Sequence, residues 1–472
     1  MVMRGTEGIY DLAWLGNDGI YKFKTIPRRH QVECLIHEWR RPAWGRFHQM
    51  RTGKTPLTVY EMDALAQFGL ASRFLVVCPK RVIDVWKGML PHHSHTPWRI
   101  VTNINDLKHY NPAVPTVLLT NYERTWIRKN GRVLARPEIV NWQPEYVVAD
   151  EAHKAKNRTA ARSRGLYLLG QVAKYRRALT GTPDPNSYAD YFGIYKFLDP
   201  SIFNTWAEFS SEYLLLDWYG RVVGYRNLDR LTALIHSISS RVRRADCLDV
   251  PDEEDIIQPV VLPSKAKKVY DALATQMFAE LEGGSASAPI VLTKLLRLSQ
   301  VNGGFVTRDD GQVAWLHDAK LDVLMDILEE VLADGGAKAV VFFRFRPEMG
   351  KVAEDLQRAS IPCCRIDGDH DETARFRSDP KCRVLLAQIA SGSLGLDFSA
   401  ADTAIYYSLD FDAATYEQAR ARIWRPGGKL AHIHLVVPKS IDGTMLKVVQ
   451  HKMKRSTQLL DDYWSMVRGE AA

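Results

Sequence analysis

Two clusters of side chains in this sequence have the types and spacing that phosphate chemistry requires. The first lies in "HQMRTGKTP", His48 to Pro56. Gly53, Lys54 and Thr55 match the end of a phosphate-wrapping loop. In such a loop, backbone N–H groups at a helix start face the anion, the lysine reaches the β- and γ-phosphates, and the hydroxyl ligates Mg²⁺. Pro56 fits a first helical turn, where its missing N–H is no loss. The start of the loop departs from the usual pattern, because His48 and Arg51 stand where glycines are often found. A bare G-K-T is a weak signal alone. The second cluster is in "YVVADEAHKAKN", Tyr146 to Asn157, where an apolar run stops in Asp150 and Glu151. A carboxylate at the C-terminal edge of a parallel strand lies at the ligand crevice. There Asp150 is placed to hold Mg²⁺ through water and Glu151 to polarise an attacking water.

Two further motifs add to these. In "LTGTPDPN", Leu179 to Asn186, Thr180 and Thr182 flank a glycine just after an apolar run. Small hydroxyls there can bond the acidic motif and relay its state; alone the motif is only a turn. In "YEQARARIWRPGGK", Tyr416 to Lys429, a helical reading puts Gln418, Arg422 and Arg425 on one face at i, i+4 and i+7. That face can present two guanidiniums to a triphosphate. An arginine finger of this kind contributes about 10³–10⁵ in rate. A basic solvated helix is the alternative for this motif by itself.

Positioning these groups takes strands and helices in alternation. The runs "FLVVC", "TVLLT", "YVVA" and "RALT" fall in the first half, and "AVVFF", "CCRI", "VLLAQ", "TAIYYS" and "HIHLVV" in the second. Near-continuous β-rich runs between helical patterns indicate parallel sheets covered on both faces, and two sets imply two α/β lobes. From Tyr188 to about Arg244 the chain is aromatic, charged and helical in period. "DVPDEEDIIQPVVLP", residues 249–263, reads as a linker, with three prolines and an acidic run. The expected lobes are therefore 1–248, with a helical insertion at about 188–244, and 264–472, with a helical insertion and a C-terminal helix.

With 472 residues, two domains are the default expectation. An apolar fraction of 46% and a charged fraction of 25% are those of an ordinary folded chain, which argues against long disorder. The net charge of +8 points to an anionic partner, nucleic acid first. Six cysteines without a C-x-x-C pair read as reduced thiols. "PHHSH", His92 to His95 within it, has no Cys or acidic companion and reads as a polar loop rather than a metal site. Neither a signal peptide nor an apolar run near ~20 residues is visible.

In their joint order, these motifs closely resemble those of the superfamily-two helicases, and more narrowly the Swi/Snf family of ATP-dependent DNA translocases. "DEAHKAKN", "LTGTPDPN", "KFLDP", "RVRR", "SGSLGLDFSAAD" and the Gln-x-x-x-Arg-x-x-Arg-x-Gly of Gln418–Gly427 carry the resemblance, which runs from about Pro27 to Val437. It implies two RecA-like lobes, each a parallel sheet flanked by helices. It also implies ATP and Mg²⁺ as cofactors. Carried over by position, Gln31 resembles the adenine-reading glutamine. Met50, Arg51, Thr52, Gly53, Lys54 and Thr55 resemble the phosphate loop, with Thr55 and Asp150 on Mg²⁺. Glu151 resembles the water-activating acid. Gly395 and Asp397 resemble residues that close over the nucleotide, and Arg422 and Arg425 the two final arginines, with Arg425 the finger. His153, Thr180, Thr182 and Gln418 fall where coupling residues stand. Lys80, Thr120, Asn121, Tyr122, Arg344, Gln388, Ser391 and Gly392 fall where nucleic-acid contacts stand.

The resemblance implies a motor, acting as a monomer, that translocates on duplex or forked DNA with little regard to sequence. The alternatives are a fork-unwinding or branch-migrating helicase, a nucleotide-gated DNA-binding subunit with weak hydrolysis, and an RNA helicase. Lys-Asn after the acidic motif favours DNA. Gly428 stands where the family often has Gln. The length leaves no room for a chromodomain, bromodomain or nuclease, and a compact bacterial or phage-like protein in the cytoplasm is expected.

Overall fold

The computed structural model describes residues 2–3, 12–183, 187–248, 252–282, 288–308, 310–333, 335–392, 396–425 and 428–452. The chain divides into two compact units, with the break between Leu248 and Asp249.

In the first unit, seven strands form one parallel sheet. In chain order they are β1 (Ala43–Arg46), β2 (Arg73–Val77), β3 (Arg99–Val101), β4 (Thr116–Thr120), β5 (Tyr146–Asp150), β6 (Tyr175–Leu179) and β7 (Ser239–Ser240). Their spatial order is β7-β1-β6-β5-β2-β4-β3. β5 shows why such strands lack a polar face. Val147 and Ala149 enter one apolar cluster and Tyr146 and Val148 the cluster on the other side. Helices α1 (Arg29–Glu38), α2 (Lys54–Gln67) and α3 (Ile83–His93) belong to this unit.

The second unit holds a six-stranded parallel sheet. Its strands are β8 (Asp252–Pro259), β9 (Ala339–Phe343), β10 (Cys363–Ile366), β11 (Val384–Gln388), β12 (Thr403–Tyr406) and β13 (Lys429–Val436). Their order is β8-β13-β12-β9-β11-β10. Helices α4 (Arg346–Arg358) and α5 (Ala413–Ile423) belong to it. Every run read as a strand is one, and the two-sheet α/β class is the one expected from them.

Three readings need correction. Within the stretch taken as linker, Asp252–Pro259 is an eight-residue edge strand paired in parallel with β13 from Lys429 to Val436. Edge strands tolerate charge and terminal proline, so acidic, proline-bearing sequence does not exclude pairing. The 188–244 insertion is only partly helical. Between the helices Trp206–Tyr213 and Leu228–Ser237 lies a hairpin, Leu214–Leu216 with Val222–Tyr225, and β7 then joins the main sheet beside β1. The cysteines are not all thiols, since the structure joins Cys364 and Cys382 in a disulfide. Their places on and beside the neighbouring strands β10 and β11 bring their Cα atoms to 6.4 Å. The C-terminal helix is described only through residues 441–452, and beyond that the reading lies outside the described residues.

Candidate active site

The strand order decides what meets. β6 lies between β1 and β5, in register so that Arg46, Leu179 and Asp150 align across the three strands. The G-K-T loop, Thr180 and the acidic pair therefore leave adjacent strands at one sheet edge. This is the C-terminal edge, where parallel sheets bind ligands.

The loop is built around its backbone. Gly53 sits at φ +87° at the head of α2, and a Cβ there would lie 2.4 Å from the Gln31 amide. Only glycine meets both demands. Arg51 also has a left-handed φ, +64°. The position that departs from glycine is thus one where glycine is the relaxed choice, and Arg51 adopts that geometry at a cost. Its carbonyl accepts from Arg28 (Nη1, 2.9 Å). His48 is not in the left-handed region, so no glycine is needed there. Its ring is buried and turned into the protein, with Nε2 2.8 Å from the Ser240 hydroxyl. Burial, then the Lys54 charge, holds its pKa well below the usual value.

Lys54 Nζ donates to the carbonyls of His48 (2.8 Å) and Gln49 (3.2 Å), which places the ammonium over the loop. The Thr52 hydroxyl donates to the Gln49 carbonyl at 2.8 Å. Thr55 occupies the first turn of α2. Met50 packs on the next motif, since a Cβ on Gly181 would meet Met50 Cγ at 3.1 Å. Gln31 is buried with both ends of its amide in use. It accepts from the Arg28 N–H at 2.7 Å and donates to the Gly53 carbonyl at 2.9 Å. In this arrangement it ties α1 to the loop.

Asp150 is buried at the end of β5, and its carboxylate accepts from the Trp86 indole N–H (2.8 Å) and the Glu151 N–H (3.0 Å). Its pKa is pushed up to about 6, first by burial and then by the Glu151 charge, with Trp86 and Lys54 acting the other way. Glu151 takes a left-handed φ of +53°, and its carboxylate lies 3.4 Å from His153 Nδ1. The same nitrogen is 3.2 Å from the Thr180 hydroxyl, which in turn accepts from the Thr182 N–H at 3.1 Å. A continuous polar path thus runs from the acidic pair to the Thr-Gly-Thr turn. The site fits Mg²⁺-nucleotide. A helix start with a fixed glycine, an ammonium at the loop, and two crowded carboxylates that repel one another are complementary to a triphosphate with its cation.

Several supporting residues escape sequence reading. Arg46, fully buried at the end of β1, donates to Glu38 (2.6 Å), Thr58 (2.7 Å) and Glu61 (2.6 Å). Glu61 also accepts from Tyr146 (2.5 Å) and from Arg177 through Nε (3.0 Å) and Nη2. One buried carboxylate on α2 thereby ties the strands carrying all three motifs. Arg241, in "RVRR", donates to the carbonyls of Phe47 (2.7 Å) and Gly181 (3.2 Å). Cys34, Glu38 and His48 offer donor atoms within 4.8 Å of one another, but Glu38 is occupied by Arg46 and the Ser240 hydroxyl.

The expected nucleic-acid contacts divide. Lys80 is exposed, and Asn121 is half-buried and caps the Tyr122–Arg124 turn by accepting from the Arg124 N–H at 3.1 Å. Thr120 and Tyr122 are buried, and the Tyr122 hydroxyl donates to the Asp150 carbonyl at 2.7 Å. Both side chains are turned inward in this structure, and Tyr122 supports the acidic motif. In the second unit, Arg344 and Gln388 are half-buried, the Arg344 guanidinium lying 5.1 Å from the Phe345 ring. Ser391 and Gly392 end the short helix Ile389–Gly392, and Gly395 lies outside the described residues. Asp397 accepts from the Ser399 N–H at 3.1 Å.

Gln418 is buried on α5, and Arg422 is half-buried one turn further on. The expectation that Arg425 continues this face fails. α5 ends at Ile423, and Trp424 is extended at φ −65°, ψ 133°. Arg425 stands beyond the helix, with Nη2 3.7 Å from Asp402. Pro426 follows in the sequence, and Arg425, as the residue before a proline, is disfavoured in helical geometry.

A parallel-sheet lobe with this loop, acid pair and Thr-Gly-Thr turn, followed by a second such lobe bearing two arginines at a helix end, defines the helicase class of nucleotide-binding proteins. The chain belongs to the SNF2 family. Residues 30–303 match the SNF2-related domain and residues 319–427 the helicase conserved C-terminal domain. Chromodomain-helicase-DNA-binding protein 7 of Homo sapiens is 26% identical over 462 residues, covering 86% of this chain and 15% of that protein. Protein CHROMATIN REMODELING 4 of Arabidopsis thaliana is 26% identical over 477 residues, covering 90% of this chain and 20% of that protein. The chain thus spans a fifth or less of these relatives' length. Among solved structures, the Sulfolobus solfataricus SWI2/SNF2 ATPase core in complex with dsDNA matches with a TM-score of 0.45 and 20% identity, covering 93% of this chain and 94% of that one.

Proposed function

We propose that this protein is a DNA-dependent ATPase that couples hydrolysis to translocation along duplex DNA. The observation that carries the reading is the convergence of the Gly53–Thr55 loop, the Asp150–Glu151 pair and Thr180–Thr182 on three neighbouring strands. Mg²⁺, held by Thr55 and Asp150, would supply positive charge that offsets the charge on the transferred group. The chain's own residues do the rest. Lys54 and the loop N–H groups orient the triphosphate, and Thr55 and Asp150 hold the cation. Glu151 takes the proton of the attacking water, and His153 with Thr180 transmits its state to the turn beyond. Arg422 and Arg425 of the second unit resemble the arginines that offset charge developing on the transferred group, and we assign them that role. DNA contacts come from surface groups such as Lys80, which meet phosphates and carry no sequence information.

The test is the ATPase rate against single-stranded DNA, duplex DNA, forked DNA and RNA, paired with triplex displacement. Stimulation by duplex and displacement of a third strand are expected. Equal rates with and without nucleic acid would refute the reading.

A further inference from the structure

The hairpin Leu214–Leu216/Val222–Tyr225 carries two consecutive aromatics at its turn, Trp218 and Tyr219, which are 97% and 80% exposed. Full exposure of a tryptophan forfeits its burial, so such a residue points to a contact made outside the chain. The turn that presents it is well fixed. Asp217 Oδ1 accepts the N–H groups of Tyr219 (2.9 Å) and Arg221 (2.8 Å), and Gly220 takes φ +75°. The Asp217 N–H donates to the Arg221 carbonyl at 2.9 Å. Between Leu214 and Asn227 the charged residues are Asp217, Arg221 and Arg226. At the tip, Asp217 is hydrogen-bonded within the turn and Arg221 lies 5.5 Å from the Tyr219 ring, while Arg226 stands at the base, where its N–H donates to the Tyr213 carbonyl at 3.0 Å.

The base of the hairpin is joined to the nucleotide side. The Tyr225 and Ser187 hydroxyls are 3.0 Å apart, and the Tyr225 and Tyr188 rings have centroids at 4.7 Å. Ser187 directly follows the Leu179–Asn186 motif. The tip therefore stands on an arm whose base contacts Ser187 and Tyr188, just after the coupling motif in the chain.

We propose that the Trp218–Tyr219 tip is a nucleobase-stacking site that engages an unpaired base at a DNA end or junction. Two aromatic side chains offer about 300–500 Å² at most. A standard stable protein interface buries about 800 Å² on each partner, more than this tip offers. Stacking on one base needs only a single ring, and Arg221 beside it suits an adjacent phosphate. The inference rests on the DNA-motor reading above and adds to it a preference for unpaired ends.

The test measures affinity by fluorescence anisotropy for a fork with single-stranded arms and for a blunt duplex of equal length, at one salt concentration. The readout is the ratio of the two affinities. The unaltered chain should prefer the fork. Trp218→Ala with Tyr219→Ala should weaken fork binding about 10-fold or more and bring the ratio toward one. Trp218→Phe should keep the preference and Trp218→Leu should lose it. No fork preference in the unaltered chain, a ratio unmoved by the double substitution, or equal function of the Phe and Leu variants would overturn the proposal; the last would mark an apolar protein-docking tip. If duplex DNA stimulates hydrolysis while the ratio does not move, the tip proposal alone fails. If no nucleic acid stimulates hydrolysis, the motor reading fails.

Discussion

Replacing Glu61 with leucine should strongly destabilise the first unit. Glu61 is fully buried, yet its pKa lies below the ordinary value. Burial alone would raise it, and the Arg177 and Arg46 guanidiniums outweigh that. The two arginines are not equally dependent on it. Arg46 keeps Glu38 at 2.6 Å and Thr58 at 2.7 Å when Glu61 is removed. Arg177 keeps only the Arg176 carbonyl at 2.9 Å among its bonds in the described residues. Glu61→Leu thus strands one buried guanidinium, which costs about 3–5 kcal/mol. With a urea slope near 3 kcal/mol/M for a lobe of this size, the midpoint of the affected transition should fall by about 1–1.7 M. Urea unfolding of the full chain, followed by circular dichroism, measures this. The two units need not unfold together, so the shift is read on the transition that moves. Adding Arg177→Met should recover at least half of the loss, because the stranded charge goes with it. A shift below about 0.3 M, or no recovery in the double variant, would refute the claim that this carboxylate neutralises the core between the motif strands.

Lys54→Ala should abolish ATP turnover, and Glu151→Gln should bind ATP on DNA without releasing phosphate. Normal turnover by either, in a phosphate-release assay, would remove the loop and acid pair from catalysis. Arg425→Ala should still bind ATP, measured by filter retention, while hydrolysing it about 10³-fold more slowly or worse. A pH effect is expected from Glu348, which is fully buried on α4 with its pKa pushed up to about 7 by burial, the Ser408 hydroxyl and Lys320 pulling it down. An acid whose folded pKa exceeds its unfolded value, about 4.3, makes the folded state lose stability as pH rises between the two values. The unaltered chain should therefore lose on the order of 3 kcal/mol across that window, and Glu348→Gln should flatten the slope of urea midpoint against pH. Parallel slopes for the two proteins would rule Glu348 out as the cause.

Legibility followed how local each signal is. Gly53, Lys54 and Thr55, the Asp150–Glu151 pair and the Thr180–Thr182 turn each lie within a few residues, and the turns they need are set by the residues themselves. The apolar runs likewise mark the strands, because a sheet covered on both faces needs uninterrupted burial. β1 was not legible. Its "AWGR" contains a glycine and a charge, and only the pairing of Arg46 with Glu38 and Glu61 lets that charge be buried. Arg425 was placed on a helical face that Trp424 ends.

The chain by itself determined the two-lobe class and the order of the motifs. Tertiary structure decided which distant groups hold the chemistry in place. Trp86 reaches Asp150 across 64 residues, Arg241 reaches Phe47 across 194, and Ser240 reaches Glu38 across 202. It also turned Tyr122 inward to Asp150 and made an edge strand of Asp252–Pro259. The physical reason is that a buried donor or charge must find a partner, but nothing in its local pattern says which. That choice is made by strand order, which brings β7, β1, β6 and β5 side by side although β7 lies nearly 200 residues from β1 in the chain.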